Sequence, residues 1–249
     1  MKNKTILITG ASSGIGLACA QAFAKEGSNL ILFARRLDRL KEIQKRLSEL
    51  YKVQVTIKQV DVRKKEEVDE AVHDLPEIDV LINNAGLAKG IEKIQDGFWE
   101  KWEQMIDTNI KGLLAVTRAV LPKMLERNSG HIINIGSIAG HETYPGGNVY
   151  NATKFAVDAL TRAIRMDVHG YNIRCSSVDP GMVETEFSII RLDDEKKAKK
   201  VYEGFQPLTA VDIADTIYFV ASRPSHVNIQ DIIIMPTAQA SATLVNRKI

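Results

Sequence analysis

Short apolar runs alternate with helical patterns along the whole chain, and this alternation narrows the possible folds more than any other feature of the sequence. The runs are apolar throughout rather than at every second residue, as residues 6–8 (ILI) and 30–33 (LILF) show. Strands of this kind are covered on both faces, which is the situation of a parallel sheet between two layers of helices. We predict strands at residues 5–9, 29–34, 54–60, 80–83, 131–135, 173–178 and 231–235.

Helical periodicity fills the intervals between these strands. We predict helices at residues 14–26, 37–51, 65–74, 99–127, 150–169 and 210–222. No linker, low-complexity stretch or internal repeat marks a boundary, so residues 1–249 are expected to form one domain. The sequence therefore predicts an α/β fold, a single Rossmann-type, doubly wound domain with about seven parallel strands and helices on both faces.

The balance of charge disfavours two classes of partner. With 33 basic and 31 acidic residues and a net charge of +2, neither sign dominates as it would in a protein that binds nucleic acid or an acidic membrane surface.

No apolar run approaches the ~20 residues of a membrane-spanning helix. The polar N-terminus leads directly into the first strand, without room for a signal peptide. Since Cys19 and Cys175 are expected to be reduced core thiols, we predict a cytoplasmic protein.

A glycine-rich turn follows the first strand and opens the first helix. It reads Gly10-Ala11-Ser12-Ser13-Gly14-Ile15-Gly16. Glycines let the backbone approach a pyrophosphate, and the free N–H groups and dipole of a helix N-terminus favour the anion. Any tight strand-to-helix turn also favours glycine and serine, but three glycines in seven residues point to a dinucleotide site.

The end of the second strand indicates which dinucleotide binds. An NAD site usually has a carboxylate here for the ribose 2′-hydroxyl, whereas this chain has Ala34 followed by Arg35 and Arg36. An arginine fork suits a 2′-phosphate, so we expect NADP. The alternative is that both arginines merely begin a solvated helix.

Five sequence elements together resemble the short-chain dehydrogenase/reductase family. They are residues 10–16, the run Asn83-Asn84-Ala85-Gly86, Asn109, Ser137, and Tyr150 with Lys154 four residues later, and they follow the family's order over essentially the whole chain. The resemblance implies that Asp61 and Val62 lie against the adenine and that Asn84, Ala85 and Gly86 line the cofactor. It also implies that Pro180 and Gly181 pass beside the nicotinamide, with Val183 and Thr185 near its carboxamide.

The same resemblance assigns catalytic roles, and the residue chemistry suits them. Tyr150 and Lys154 lie one helical turn apart, so the ammonium can lower the pKa of a phenol that is otherwise ~10. Ser137 would donate a hydrogen bond to the substrate oxygen. Asn109 would hold a water that passes protons onward. For Asn109, a side chain that bonds only to backbone is a nearly equal alternative.

A narrower resemblance concerns the substrate. Residues 105–109 (MIDTN), 146–150 (GGNVY), 186–188 (EFS) and 226–229 (HVNI) resemble the NADP-dependent 3-hydroxy acid dehydrogenases. This implies substrates such as L-serine, L-allo-threonine and 3-hydroxypropionate, and a homotetramer whose interfaces include the helix at 99–127, the Tyr150 helix and residues 236–239. Arg191 falls in the expected substrate lid, at about residues 182–206, where a cation would bind the carboxylate. The alternative interpretation is that Arg191 is a surface arginine that precedes a charged run.

Other functional classes fit less well. The five histidines show no paired spacing, so we expect no metal site, and no serine hydrolase elbow or triad is recognisable. A broad carbonyl reductase or a 3-oxoacyl thioester reductase remains possible on the same fold. A dinucleotide-sensing protein without turnover also remains, although such a protein could lose the tyrosine or the lysine, and this chain has both.

Overall fold

Seven parallel strands form the central sheet of the computed structural model, which describes residues 1–248. Two shorter strands, β7 and β8, lie outside this sheet. In chain order, all the strands are β1 (Thr5–Thr9), β2 (Asn29–Ala34), β3 (Val55–Gln59), β4 (Val80–Asn83), β5 (Gly130–Ile135), β6 (Ile173–Pro180), β7 (Val183–Glu184), β8 (Leu208–Thr209) and β9 (Asp231–Ile234). The main sheet has the order β3-β2-β1-β4-β5-β6-β9, and all its pairs are parallel. The predicted fold class and all seven predicted strands are confirmed.

Helices cover both faces of this sheet. They are α1 (Gly14–Lys25), α2 (Leu37–Tyr51), α3 (Lys65–His73), α4 (Trp99–Ile106), α5 (Leu113–Glu126), α6 (Asn148–Asp167), α7 (Glu186–Leu192), α8 (Glu195–Lys200) and α9 (Ala210–Ala221). Ile6 and Ile8 of β1 pack in the core under α1, α2 and α9, whereas Leu7 between them packs in the core under α3, α5 and α6. The strands are continuously apolar because successive side chains enter different cores.

The helix predicted at residues 99–127 is not continuous. A π-helical turn, Asp107–Gly112, separates α4 from α5. Asn109 lies inside this turn, and a side chain on Gly112 would meet Val62. The sequence pattern does not reveal such a turn, because it is a single turn within an otherwise α-helical stretch.

The segment between β6 and α9 contains structure that the sequence pattern did not show. β7 pairs with β8 in a separate two-stranded sheet, and α7 and α8 lie between them. These elements span the range expected for the substrate lid, and we refer to residues 182–206 as the lid. None of the helices within residues 1–248 has the length and apolar character of a bilayer-spanning segment.

The order in which successive strands are added to the sheet reverses at its centre. β1 is flanked by β2 on one side and β4 on the other, so the loops that leave these neighbouring strands turn to opposite faces. Such a switch point opens a crevice at the carboxyl ends of the strands, and ligands of open α/β sheets bind there.

Candidate active site

A cavity of about 530 Å³ occupies this crevice beneath the lid. Most of the residues that the sequence predicts for the site line its wall. They are Gly10, Ser12, Ser13, Gly14, Ile15, Arg35, Arg36, Asp61, Val62, Asn84, Ala85, Gly86, Ser137, Tyr150, Lys154, Pro180, Gly181, Val183, Thr185 and Arg191. Gly16 and Asn109 lie behind the wall and act on it through their neighbours.

The glycine-rich turn depends on backbone that other residues adopt poorly. Gly10 has φ +65° and Gly14 has φ +53°. A side chain on Gly10 would crowd Asn84 Nδ2 at 2.9 Å, and one on Gly16 would collide with the carbonyl of Gly10. Gly16 therefore lets α1 pack closely on β1, while the N-terminus of α1 opens into the cavity.

Arg36 is held at the rim of the cavity by three side chains. Its Nε donates to Ser12 Oγ at 3.1 Å, one Nη donates to Ser13 Oγ at 2.6 Å, and the other pairs with Glu186 at 3.0 Å. Arg39 pairs with the same carboxylate at 2.6 Å. These ion pairs hold the pKa of Glu186 below its usual value, Arg39 contributing most. The guanidinium of Arg36, a residue predicted as a phosphate ligand, thus lies beside the serines of the glycine-rich turn.

Asp61 also lines this cavity, near Arg35. Its carboxylate accepts hydrogen bonds from Arg63, which lowers its pKa. Val62 stands next to it on the wall. The pair forms a partly apolar, acidic surface close to Arg35.

Tyr150, Lys154 and Ser137 lie close together on the wall of the cavity. Tyr150 is 8% exposed and Lys154 is 7% exposed. The Nζ of Lys154 donates to the carbonyl of Ile135 at 2.8 Å and lies 5.9 Å from the centre of the Tyr150 ring. Ser137 accepts a hydrogen bond from Ala139 N at 3.1 Å, so its hydroxyl is fixed at the end of β5.

Burial moves the pKa values of these two groups in opposite directions. It raises the pKa of Tyr150, with a smaller contribution from the nearby Tyr144, while Ser137 and Arg191 act against the rise. Burial also lowers the pKa of Lys154 to about 8, and the negative charge of Asp179 opposes that change. Perturbed titratable groups in a cleft are typical of a catalytic site.

Both N–H groups of the Asn109 side chain donate hydrogen bonds within the protein. Its Nδ2 donates to Leu87 O at 2.9 Å and Thr153 Oγ1 at 3.0 Å, and its Oδ1 accepts from Leu87 N at 2.9 Å. The amide therefore joins the π-helical turn to the loop after β4 and to α6, the helix of Tyr150. Both of its N–H donors are engaged by protein atoms.

Arg191 reaches the part of the cavity that Tyr144 and Tyr150 line. Its guanidinium carbon lies 5.4 Å from the ring centre of Tyr144 and 5.5 Å from that of Tyr150, and Nη1 donates to the Tyr144 hydroxyl at 2.9 Å. Its Nε contacts Gly90 O at 3.3 Å. A cation therefore stands beside the Tyr150 ring, inside the cavity rather than on the open surface.

The sequence did not predict several residues of this wall. Tyr144 and Phe187 are the clearest cases, the second with its ring 5.7 Å from that of Tyr150. Tyr202 closes the lid side, because its hydroxyl bonds to Ser188 at 2.6 Å and to the carbonyl of Val183 at 2.8 Å. Tyr144 had a usable signal, since it lies between Ser137 and Tyr150. Tyr202 had none, because its partners depend on how the lid folds.

Comparison with protein families and curated proteins finds extensive similarity. The family model for short chain dehydrogenases matches residues 4–196. An NADP-dependent 3-hydroxy acid dehydrogenase of Salmonella typhi is 46% identical over 245 residues, which is 96% of this chain and 97% of that protein. Sulfoacetaldehyde reductase 2 of Chromohalobacter salexigens is 43% identical over 97% of this chain and 98% of its own length.

A solved structure extends the similarity to three dimensions. The closed form of a serine dehydrogenase complexed with NADP+ superposes with a TM-score of 0.93 and 43% sequence identity. The match covers 98% of this chain and 100% of the other. The structural match therefore includes the lid and the residues of the cavity as well as the sheet.

Proposed function

Because the chain belongs to the short-chain dehydrogenase family, we propose that it interconverts a 3-hydroxy acid and its 3-oxo product with NADP as hydride carrier. Its reaction class is oxidoreduction at a hydroxyl-bearing carbon. The observation that carries the choice of substrate is Arg191, a guanidinium placed against Tyr150 in the cavity. Substrates of the L-serine, L-allo-threonine and 3-hydroxypropionate type present a carboxylate at a suitable separation from the reacting hydroxyl.

The residues of the cavity fit NADP. Gly10, Gly14 and the start of α1 leave backbone open to a pyrophosphate, and Arg35 and Arg36 with the Ser12 hydroxyl form a cationic end at β2. The 2′-phosphate would be bound by Arg36 and Ser12, and the adenine would lie near Asp61 and Val62. When bound, the nicotinamide supplies hydride acceptance or donation.

The same fit extends to the other end of the cofactor. Asn84, Ala85 and Gly86 line the cavity after β4, and a side chain on Gly86 would approach both Asn109 and Lys154 Nζ. Pro180, Gly181, Val183 and Thr185 line the wall that would face the nicotinamide. We assign this surface to the nicotinamide and its ribose.

The proton is handled by Tyr150. The phenol would take the proton of the substrate hydroxyl in oxidation and return it in reduction, while Ser137 donates a hydrogen bond to the same oxygen. Burial alone makes the phenolate costly, so the nearby ammonium of Lys154 must stabilise it. We assign Tyr150, Ser137 and Lys154 these roles.

For Asn109 the contacts favour positioning over direct proton transfer by its amide. Both side-chain donors are bound to Leu87 and Thr153, which fixes the π-helical turn against α6. We infer that Asn109 holds the backbone behind Lys154 in place, and that a relay water would bind there.

The carboxylate of the substrate would bind between Arg191 and Tyr144. Because Arg191 donates to the Tyr144 oxygen, the phenolic hydrogen of Tyr144 is free to donate to an anion. A sulfonate presents the same charge, and a relative is named sulfoacetaldehyde reductase, so sulfoacetaldehyde is a second candidate substrate. Neutral carbonyl compounds and thioesters would not use this cation.

Replacing Arg191 with alanine tests the substrate assignment. A charge-assisted hydrogen bond contributes about 1.5–3 kcal/mol, so KM for 3-hydroxy acids should rise roughly 10- to 100-fold. KM for a neutral secondary alcohol should change little, and Lys196→Ala, which removes an exposed lid cation, should change neither. Equal losses on acids and neutral alcohols would refute the role of Arg191.

We also infer a homotetramer in the cytoplasm. Ile106, Leu114 and Phe155 leave 37%, 41% and 41% of their surfaces exposed on the α4, α5 and α6 side. Phe219 of α9 and Ile233 of β9 expose 48% and 49% on another side. Two such apolar faces suit an assembly with two kinds of paired interface. Both cysteines are free and buried, in keeping with a reducing compartment.

A further inference from the structure

A buried carboxylate lies beneath the strand end that carries the catalytic serine. Asp179, near the end of β6, is 1% exposed. Its Oδ1 accepts a hydrogen bond from Ser177 Oγ at 2.7 Å, and its Oδ2 lies 3.2 Å from His141 Nε2. Asp179 itself does not line the cavity described above, although the next residue, Pro180, does.

The position of this carboxylate ties it to Lys154. A side chain on Gly136 would overlap Asp179 Oδ1, so the carboxylate packs directly on the backbone of Gly136. The preceding residue, Ile135, accepts the hydrogen bond from Lys154 Nζ at 2.8 Å. The residue that follows is Ser137. One short backbone segment therefore separates the buried negative charge from the catalytic cation.

The carboxylate is incompletely paired by hydrogen bonds. Among residues 1–248, neither Asp179 Oδ2 nor His141 Nε2 makes a well-aligned hydrogen bond, although the two atoms are close. A buried charge of this kind is costly unless other charges compensate it. The charged and titratable groups that face it are His141 after β5, Lys154 of α6 and, with the opposite effect, Asp231 of β9.

We propose that Asp179 is a positioning residue whose buried negative charge keeps Lys154 protonated, with His141 holding the carboxylate in its ionised form. The proposal rests on the assigned roles of Tyr150 and Lys154. It adds a residue to the site that does not contact substrate or cofactor and acts through the lysine alone.

Electrostatics give the direction of the effect. Burial lowers the pKa of Lys154 to about 8, and Asp179 acts to raise it. Without that charge the ammonium loses its proton closer to neutral pH, and the phenolate of Tyr150 loses its stabilising cation. Burial raises the pKa of Asp179, and the hydrogen bond from Ser177 and the proximity of His141 oppose that rise.

The test is the titration of Lys154 in the whole protein, followed by the carbon-13 shift of its ε-carbon with and without the Asp179→Asn substitution. An opposite charge nearby shifts a pKa by roughly one unit or more, so the titration should move down by about that much. The alkaline limb of the kcat/KM profile for oxidation should move down in parallel. Ser177→Ala, which removes a hydrogen bond to the carboxylate but keeps the carboxyl group, should move the Lys154 titration less than Asp179→Asn does.

An unchanged or raised Lys154 titration in Asp179→Asn would overturn the proposal. If that variant does not fold, the carboxyl carbon shift of Asp179 in the unsubstituted protein decides, because a carboxyl that is still protonated at pH 8 also overturns it. The NMR titration is independent of turnover. A shifted lysine in an enzyme whose turnover survives Tyr150→Phe would keep this inference and reject the assigned mechanism.

Discussion

The two groups that we propose to handle the proton are each unsuited to that role when considered alone. Burial raises the pKa of Tyr150, which disfavours the phenolate, and lowers that of Lys154 to about 8, which weakens the cation. Their proximity resolves the conflict, because a phenolate and an ammonium stabilise each other in a site of low dielectric. Neither group would serve if the other were removed.

Replacing Tyr150 with phenylalanine should therefore abolish turnover. Loss of a general acid or base typically costs about 10²–10⁴ in rate, so kcat should fall by at least about 10². NADPH affinity, measured by fluorescence titration, should stay within about twofold, because the ring remains. Tyr171→Phe, at a residue that is 49% exposed, is the matched control and should behave like the unsubstituted protein. Turnover that survived the loss of the phenol would reject both this mechanism and its proton donor.

Another buried titratable residue, His131, lies outside the cavity and is expected to affect stability. His131 is 1% exposed, and its Nε2 bonds to Ser176 Oγ at 2.8 Å. Burial, with Arg174 nearby, lowers its pKa well below the usual value. The folded state thus keeps His131 neutral, whereas the unfolded chain takes up a proton below about pH 6.5.

Stability should consequently decline as pH falls below about 6.5, by up to about 1.4 kcal/mol per pH unit from this residue. Substitution with glutamine removes the titration. Denaturant unfolding at pH 7.5 and 5.5 should show a smaller acid-induced loss for His131→Gln than for the unsubstituted protein. Equal losses in the two proteins would show that His131 is protonated in the folded state.

Among the elements, the lid shows most clearly how distant parts of the chain build the site. α7 begins at Glu186, and this one carboxylate pairs with Arg36 and Arg39 at the start of α2. Thr185, which caps α7, packs 3.6 Å from the position of a side chain on Gly14. The lid is thus fastened across the glycine-rich turn, above the proposed pyrophosphate site.

Replacing Glu186 with glutamine should loosen this closure. Exposed ion pairs contribute about 0.2–1 kcal/mol each, so the loss of both pairs, about 0.4–2 kcal/mol in total, should make NADPH dissociate roughly two- to thirtyfold faster in stopped-flow displacement. High salt should reduce the difference, because it screens the same pairs. Glu184→Gln removes an equal charge two residues earlier, at an exposed position, and should leave dissociation unchanged. A dissociation rate that responds to neither substitution would mean that these ion pairs do not hold the lid over the cofactor.

Local patterns predicted the regular elements but not the irregular ones. The seven sheet strands follow from apolar runs that depend only on neighbouring residues. β7 and β8 are two residues long, too short for any periodicity. The π-helical turn at 107–112 is fixed by tertiary contacts of Asn109, which lie outside the pattern of the helix itself.

At the scale of the whole molecule, the topology explains why the site could be predicted in outline. Parallel strands bring their carboxyl ends to one edge, so residues 10–16, 83–86, Ser137 and Pro180 meet although they are far apart in the chain. The partners of Arg36 and Arg191 could not be predicted in this way. Glu186 and Tyr144 reach them only through the folded lid and the loop after β5.

The central claim is NADP-dependent oxidation of 3-hydroxy acids, and initial rates with a substrate panel test it most directly. The panel contains L-serine, L-allo-threonine, 3-hydroxypropionate, isethionate as the alcohol of sulfoacetaldehyde, and neutral secondary alcohols, each with NADP and with NAD. We predict the highest kcat/KM for a 3-hydroxy acid, with NADP well above NAD because Arg35 and Arg36 line the proposed 2′-phosphate site. Turnover confined to neutral alcohols, or a preference for NAD, would contradict the account.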